Sequence, residues 1–193
     1  MLRCFVAVEV TAPALRRSLE GAQLALRRAF GMPDPVKWVP AHQFHFTMKF
    51  LGEVPEDSAR RAAQALERIA LQPFSLGLAG LGAFPSSERP SVLWAGVAEG
   101  REQLGRLAAA VECELVQEGF AAERRRFQPH LTLGRVREGA HVPRTVAEVL
   151  AKQSGQEFGR TGVERVVLMR SELTPRGPIY SVMHHVALRE EIP

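Results

Sequence analysis

Two short segments of this chain place a histidine two residues before a threonine. They are His45-Phe46-Thr47-Met48 and His130-Leu131-Thr132-Leu133. In a β-strand, residues i and i+2 point to the same face of the sheet. Each segment therefore predicts an imidazole and a hydroxyl on one face of a sheet, with apolar side chains anchored behind them.

These two pairs suit acid and base chemistry at a phosphate. Imidazole has a reference pKa of about 6.5, so near neutral pH one histidine can be neutral while another is protonated. Two histidines on opposite sides of one phosphate can act together, one as base and one as acid, and each role is typically worth about 10²–10⁴ in rate. The threonine hydroxyls can donate to the non-bridging oxygens. A single strand histidine is more often a structural residue, and the repetition favours catalysis.

Simple alternation also makes a prediction for the residues that follow the first motif. Lys49 is predicted to share a face with His45 and Thr47, next in line along the strand. Phe50 is predicted to point the other way, into a core.

Arg135 follows the second motif and allows two interpretations. By alternation it faces away from His130 and is a surface arginine at the end of the strand. Gly134 can relax the strand through a bulge and redirect the side chain, and a guanidinium on the histidine face can hold a phosphate with two hydrogen bonds. The spacing alone does not choose between them.

The elements that must position these residues are read from hydrophobic periodicity. Strands are predicted over residues 2–10, 36–39, 44–51, 74–78, 91–97, 129–136, 163–173 and 179–188. Helices are predicted over about residues 12–30, with Thr11 as N-cap, 55–71, 100–118 and 142–153, and a turn through Pro175, Arg176, Gly177 and Pro178 joins the last two strands. Strands outnumber helices and hairpins recur, which predicts an α+β fold with largely antiparallel sheets.

Length and composition narrow the class of protein. The 193 residues fit one compact domain or two small lobes. A net charge of +4 favours an anionic partner such as nucleic acid. Arg124, Arg125 and Arg126 form a run, here called the arginine run, that either contributes to such binding or is a solvated turn.

Several classes of site are not expected. The two cysteines, Cys4 and Cys113, are expected in the core, and no cysteine or histidine spacing matches a zinc site. Neither a leader peptide nor a membrane span is expected, because the N-terminus has a strand pattern and no long apolar run occurs. A cytoplasmic protein is predicted.

The two motifs resemble those of the 2H phosphoesterase superfamily, and more closely those of its RNA 2′,3′-cyclic phosphodiesterase and 2′-5′ RNA ligase family. The similar segments are residues 3–9, 37–39, 44–53, 80–85, 93–97 and 129–135, in the family order.

The resemblance implies a fold, an activity and a role for each residue. It implies that residues 1–193 form a single domain of two pseudo-symmetric lobes, each an antiparallel sheet with helices outside, around an active-site cleft. It implies that a monomer hydrolyses RNA 2′,3′-cyclic phosphate ends to 2′-phosphomonoesters, without a metal or nucleotide cofactor. His45 would protonate the 3′ oxygen, His130 would be the base on water, and Thr47, Thr132 and Arg135 would bind the phosphate.

Three alternatives remain open from the sequence. Joining tRNA-like halves through a 2′-5′ bond could be the main activity, at the same site. A 2H enzyme acting on a small cyclic nucleotide is a second alternative. A catalytically idle module that binds RNA ends is a third, and the intact histidines and threonines of both motifs argue against it.

Overall fold

A computed structural model describes residues 1–174 and 177–189 of the chain. Within those residues there are nine strands: β1 (Leu2–Glu9), β2 (Val36–Trp38), β3 (His45–Val54), β4 (Phe74–Pro85), β5 (Pro90–Glu99), β6 (His130–Val136), β7 (Glu157–Val163), β8 (Arg165–Thr174) and β9 (Gly177–Ala187). They also contain four α-helices: α1 (Pro13–Phe30), α2 (Glu56–Leu66), α3 (Arg101–Gln117) and α4 (Arg144–Lys152). The predicted α+β class is confirmed.

The strands form two antiparallel sheets. The first has the order β3-β1-β8-β9 and the second the order β2-β6-β5-β4-β7. Helices α2 and α3 pack on one side of the first sheet, and α1 and α4 pack on one side of the second. The opposite side of each sheet carries one of the His/Thr motifs, and we call it the cleft face.

The helices connect the two halves. Helix α1 follows a strand of the first sheet but packs on the second, whereas α3 follows a strand of the second sheet and packs on the first. Most buried apolar side chains of both halves belong to one continuous cluster, and a small second cluster lies on the cleft face of the first sheet. The two sheets are therefore held in place by a shared core, which fixes the relative positions of the two motifs.

The predicted helices are found, with one shorter than expected. Helix α1 begins with Pro13 in its first turn and ends at Phe30, where Gly31 follows with a positive φ of 73°. Helix α2 ends at Leu66 rather than near residue 71. The chain leaves the helix there through tight turns that still bury Ile69, so the apolar pattern continues past the end of the helix.

Two strands differ from the prediction. Strand β4 continues to Pro85 instead of ending at residue 78, through a glycine-rich stretch with low strand propensity. Gly82 is needed there, because a Cβ would lie 2.2 Å from the Trp94 ring. Strand β7 was not predicted, since this edge strand contains two glycines and no clear alternation. Pro175 and Arg176, from the predicted turn, lie outside the described residues.

The cysteines and the helices bear on two further predictions. Cys4 is buried as predicted, whereas Cys113 is exposed because it lies off the apolar face of α3. In the described ranges, no helix is both long and apolar enough to cross a membrane.

Candidate active site

Strand β3 contains a β-bulge at Met48, where its pairing with β1 shifts by one residue. His45 and Thr47 share the cleft face with Phe50, and Lys49 turns to the helix side. The prediction that Lys49 continues the row of polar side chains is therefore wrong, and so is the prediction that Phe50 is in the core. Lys49 is 6% exposed and Phe50 is 61% exposed. Simple alternation fails because a bulge inserts one unpaired residue.

Strand β6 contains a β-bulge at the equivalent position, Leu133. The bulge brings Arg135 onto the cleft face together with His130 and Thr132, which decides between the two orientations that the sequence left open. Gly134 turns to the opposite side and packs closely, since a Cβ on it would lie 2.7 Å from Val36 Cγ1. A glycine at this position lets β6 bulge against its neighbours.

Each histidine is oriented by a backbone carbonyl two residues earlier. His45 Nδ1 lies 2.7 Å from the carbonyl oxygen of Gln43, and His130 Nδ1 lies 2.7 Å from that of Gln128. A carbonyl oxygen can only accept a hydrogen bond, so Nδ1 carries the proton in both rings. The two Nε2 atoms are left available for proton transfer.

Aromatic side chains that the sequence did not single out hold both imidazoles. The His45 ring stands edge-on to Tyr180 at 5.4 Å and lies 5.1 Å from Phe5. The His130 ring stands edge-on to Phe84 at 5.1 Å. Phe5 could have been recognised from the sequence, because it is an aromatic residue on the more polar face of the first strand. Tyr180 could not have been recognised, because it comes from the distant strand β9.

The electrostatic environment lowers the pKa of both histidines. Burial is the largest cause in each case, and the hydrogen bonds to the carbonyls oppose it. The charge of Arg135 lowers the pKa of both rings, while the carboxylate of Glu9 raises that of His45 alone. Arg135 belongs to the second sheet and His45 to the first, so the two cleft faces are within electrostatic range of each other.

The remaining predicted site residues present unpaired donors. In the described part of the chain, the hydroxyls of Thr47 and Thr132 have no hydrogen-bond partner, and the guanidinium of Arg135 has neither a hydrogen bond nor an ion pair. Lys37 lies beside Arg135 on the neighbouring strand and is exposed. The arrangement offers two hydroxyls and a cationic group to an anion placed between two histidines.

The arginine run makes no hydrogen bond to the histidines, the threonines or Arg135 in the described part of the chain. The arginine run is exposed in the segment between α3 and β6. Over residues 1–174 and 177–189, no three His, Cys, Asp or Glu side chains cluster as a metal site would require. The side chains on the cleft faces offer proton transfer by imidazole and stabilisation of negative charge by neutral and cationic donors.

Known proteins resemble this chain over most of its length. The model of the 2′-5′ RNA ligase superfamily matches residues 13–175. An RNA 2′,3′-cyclic phosphodiesterase from Aeropyrum pernix is 38% identical over 152 residues, 79% of this chain and 86% of that protein. A protein of the same name from Archaeoglobus fulgidus is 38% identical over 179 residues, 93% of this chain and 96% of the relative.

A solved structure has the same fold. The crystal structure of TT0787 from Thermus thermophilus superposes with a TM-score of 0.78 at 32% sequence identity, covering 99% of this chain and all of the other. The two sheets, the paired histidines and these matches agree with one another. The chain belongs to the 2′-5′ RNA ligase superfamily.

Proposed function

We propose that this protein hydrolyses the 2′,3′-cyclic phosphate at an RNA end to a 2′-phosphomonoester, with His130 as base and His45 as acid. One observation carries the proposal: two imidazoles, each fixed through Nδ1 to a carbonyl, lie on the cleft faces of the two sheets with one guanidinium in electrostatic range of both. The names of the relatives supply the RNA substrate.

The reaction moves two protons in opposite senses. His130 Nε2 takes a proton from water as the water oxygen attacks phosphorus. The bond from phosphorus to the 3′ oxygen breaks, and His45 Nε2 gives that oxygen its proton. The products are a 2′-phosphate and a free 3′ hydroxyl, and the two histidines have exchanged protonation states.

Glu9 supports the assignment of His45 as the acid. It lies opposite His45 in the pairing of β1 with β3, and its carboxylate partly offsets the burial that lowers the pKa of this ring. Among the described residues, no acidic side chain makes such a contribution to His130. The anionic phosphate raises the pKa of a nearby imidazole further, so binding of substrate helps His45 to carry its proton.

Thr47, Thr132 and Arg135 bind the phosphate in this proposal. Negative charge grows on the non-bridging oxygens during attack, and hydroxyl and guanidinium donors that face the cleft stabilise it. Their unpaired state in the described chain supports this role, because a partner that had to be displaced would weaken the interaction with the substrate.

Ligation is the second candidate function, and the matched family model favours it. Joining two RNA ends through a 2′-5′ bond uses the same proton transfers at the same site, with an RNA hydroxyl in place of water: His130 takes its proton, the bond from phosphorus to the 3′ oxygen breaks, and His45 protonates that oxygen. We propose that hydrolysis is the main activity, that the protein acts as a monomer in the cytoplasm, and that tRNA halves are among its substrates.

The deciding experiment uses an oligonucleotide that ends in a 2′,3′-cyclic phosphate, incubated with the protein in EDTA. Turnover to a 2′-phosphate end is expected, because no step requires a metal. The control is the His130→Ala variant, which removes the base. Loss of activity in EDTA that one divalent ion restores would overturn the metal-free mechanism. A 3′-phosphate product would mean that the ribose lies reversed between the histidines.

A further inference from the structure

Lys49 is a buried cation that the proposed reaction does not use. The bulge in β3 turns it away from the cleft, and its side chain is 4% exposed. Its Nζ donates to Glu112 Oε2 at 2.5 Å and to the carbonyl oxygen of Ala121 at 2.8 Å. Burying an ammonium carries a large desolvation cost, which these two acceptors offset.

Glu112 connects this lysine to a second point on the same segment. Its other oxygen, Oε1, accepts a hydrogen bond from the backbone N–H of Glu123 at 2.8 Å. Lys49 and Glu112 together therefore hold Ala121 and Glu123, two positions in the connection between α3 and β6. Through them, the strand that carries His45 is tied to the segment that leads into the strand of His130.

We propose that Lys49 is a positioning residue that, through Glu112, fixes the arginine run for contact with the RNA substrate. The run begins directly after Glu123 and ends four residues before His130. Four extended residues span at most about 14 Å, so the last arginine stays near the reactive phosphate. This inference rests on the proposed action on RNA.

The positioning role of Lys49 is distinct from the orientation of the catalytic base, His130. Phe127 packs against the hydrophobic core between the arginine run and Gln128, whose carbonyl orients His130. Release of Ala121 and Glu123 should therefore displace the arginines while His130 keeps its orientation. The expected kinetic result is a higher KM with kcat changed by less than about twofold.

The test uses a double variant, Lys49→Met with Glu112→Met. Replacing a buried ion pair with apolar side chains is often neutral for stability, whereas a single change leaves one charge unpaired. Urea unfolding verifies that the double variant is folded. Arg68→Met is the control, because it removes ion pairs to Glu114 on the same helix and to Glu118 directly after it, without a hydrogen bond or ion pair to the 121–123 segment.

The first measurement does not depend on activity. Trypsin cuts after arginine, and the native protein should be cut at the arginine run several-fold faster in the double variant than in the wild type or in Arg68→Met. Equal rates at matched stability would overturn the inference.

The second measurement uses the oligonucleotide with a cyclic phosphate end. The double variant should raise KM and flatten its dependence on salt to the values of an Arg124→Ala, Arg125→Ala, Arg126→Ala triple variant. An unchanged KM and salt dependence would overturn the positioning role. If the wild type does not turn over the oligonucleotide, the proposed function fails, and the trypsin result still decides whether Lys49 holds the segment.

Discussion

The two cleft faces, here called the first wall and the second wall after the sheet that each belongs to, share a backbone pattern but carry different side chains at one position. In both, the histidine bonds a carbonyl two residues earlier and a bulge follows three residues later. The fifth residue after the histidine therefore faces the cleft in each wall. It is Phe50 in the first sheet and Arg135 in the second.

From this difference we infer that the two walls contact different parts of the substrate. Phe50 joins an apolar surface that includes Phe5 and Tyr180 beside His45. The second wall carries a guanidinium with Lys37 beside it. We expect the phosphate to be held mainly by the second wall, and the sugar and base to lie against the first.

The residue between the bulge and the cleft-facing position differs in the same way. Lys49 occupies it in the first wall and is paired with Glu112, while Gly134 occupies it in the second and lies against Val36. The same β-bulge is thus followed by a buried charged residue in the first wall and by a closely packed glycine in the second. Similar motifs do not imply similar surroundings.

The largest expected effect comes from removing either histidine. His45→Ala and His130→Ala should each lower kcat by at least about a hundredfold, because each removes one of two proton transfers. Circular dichroism and thermal unfolding should match the wild type. A folded variant that retains more than about a tenth of the wild-type rate would falsify the two-histidine mechanism.

Substitutions of Phe50 and Arg135, the fifth residues after the two histidines, test whether the two walls contact different parts of the substrate. Arg135→Ala should lower kcat/KM by about 10–150-fold, the equivalent of a charge-assisted hydrogen bond worth about 1.5–3 kcal/mol. Phe50→Ala should mainly raise KM, because an apolar contact serves ground state and transition state alike. Steady-state kinetics on the same oligonucleotide compare the two. Equal effects on kcat would contradict the proposed division.

Much of this site could be predicted from sequence, because its key signals are local. The spacing of His45 and Thr47, and that of His130 and Thr132, places each pair on one face of a strand, and the structure has them so. The resemblance then supplied the two lobes and the substrate. The strands and helices that carry the motifs followed from apolar periodicity.

The rest depends on contacts that are distant in sequence. The bulge at Met48 is defined by pairing with β1, so counting along β3 alone could not place Lys49 or Phe50. Gly134 did indicate that a bulge could occur, so the sequence left both orientations of Arg135 open and did not predict the wrong one. Tyr180 reaches the cleft only because β9 pairs with β8.

A smaller effect is expected from the two hydroxyls. Thr47→Val and Thr132→Val keep the shape of the side chain and remove one neutral donor each, which is typically worth about 0.5–1.5 kcal/mol, or about 2–12-fold in kcat/KM. Thr132→Val should have the larger effect, since its wall holds the phosphate. The reverse order, measured on the same substrate, would place the phosphate nearer the first wall.

The smallest expected effect is on the pH dependence of stability. The folded protein lowers the pKa of His45, so as pH falls from about 7.5 to 5 the unfolded chain takes up a proton near pH 6.5 before the folded one does. Stability is therefore present above that range and is lost as the pH falls, with a slope of at most about 1.4 kcal/mol per pH unit for this group. His45→Gln should reduce the loss, as measured by urea unfolding at several pH values. The exposed His141 provides the control, and His141→Gln should leave the wild-type dependence in place. If both variants follow the wild-type curve, the environment of His45 does not disfavour its charged form.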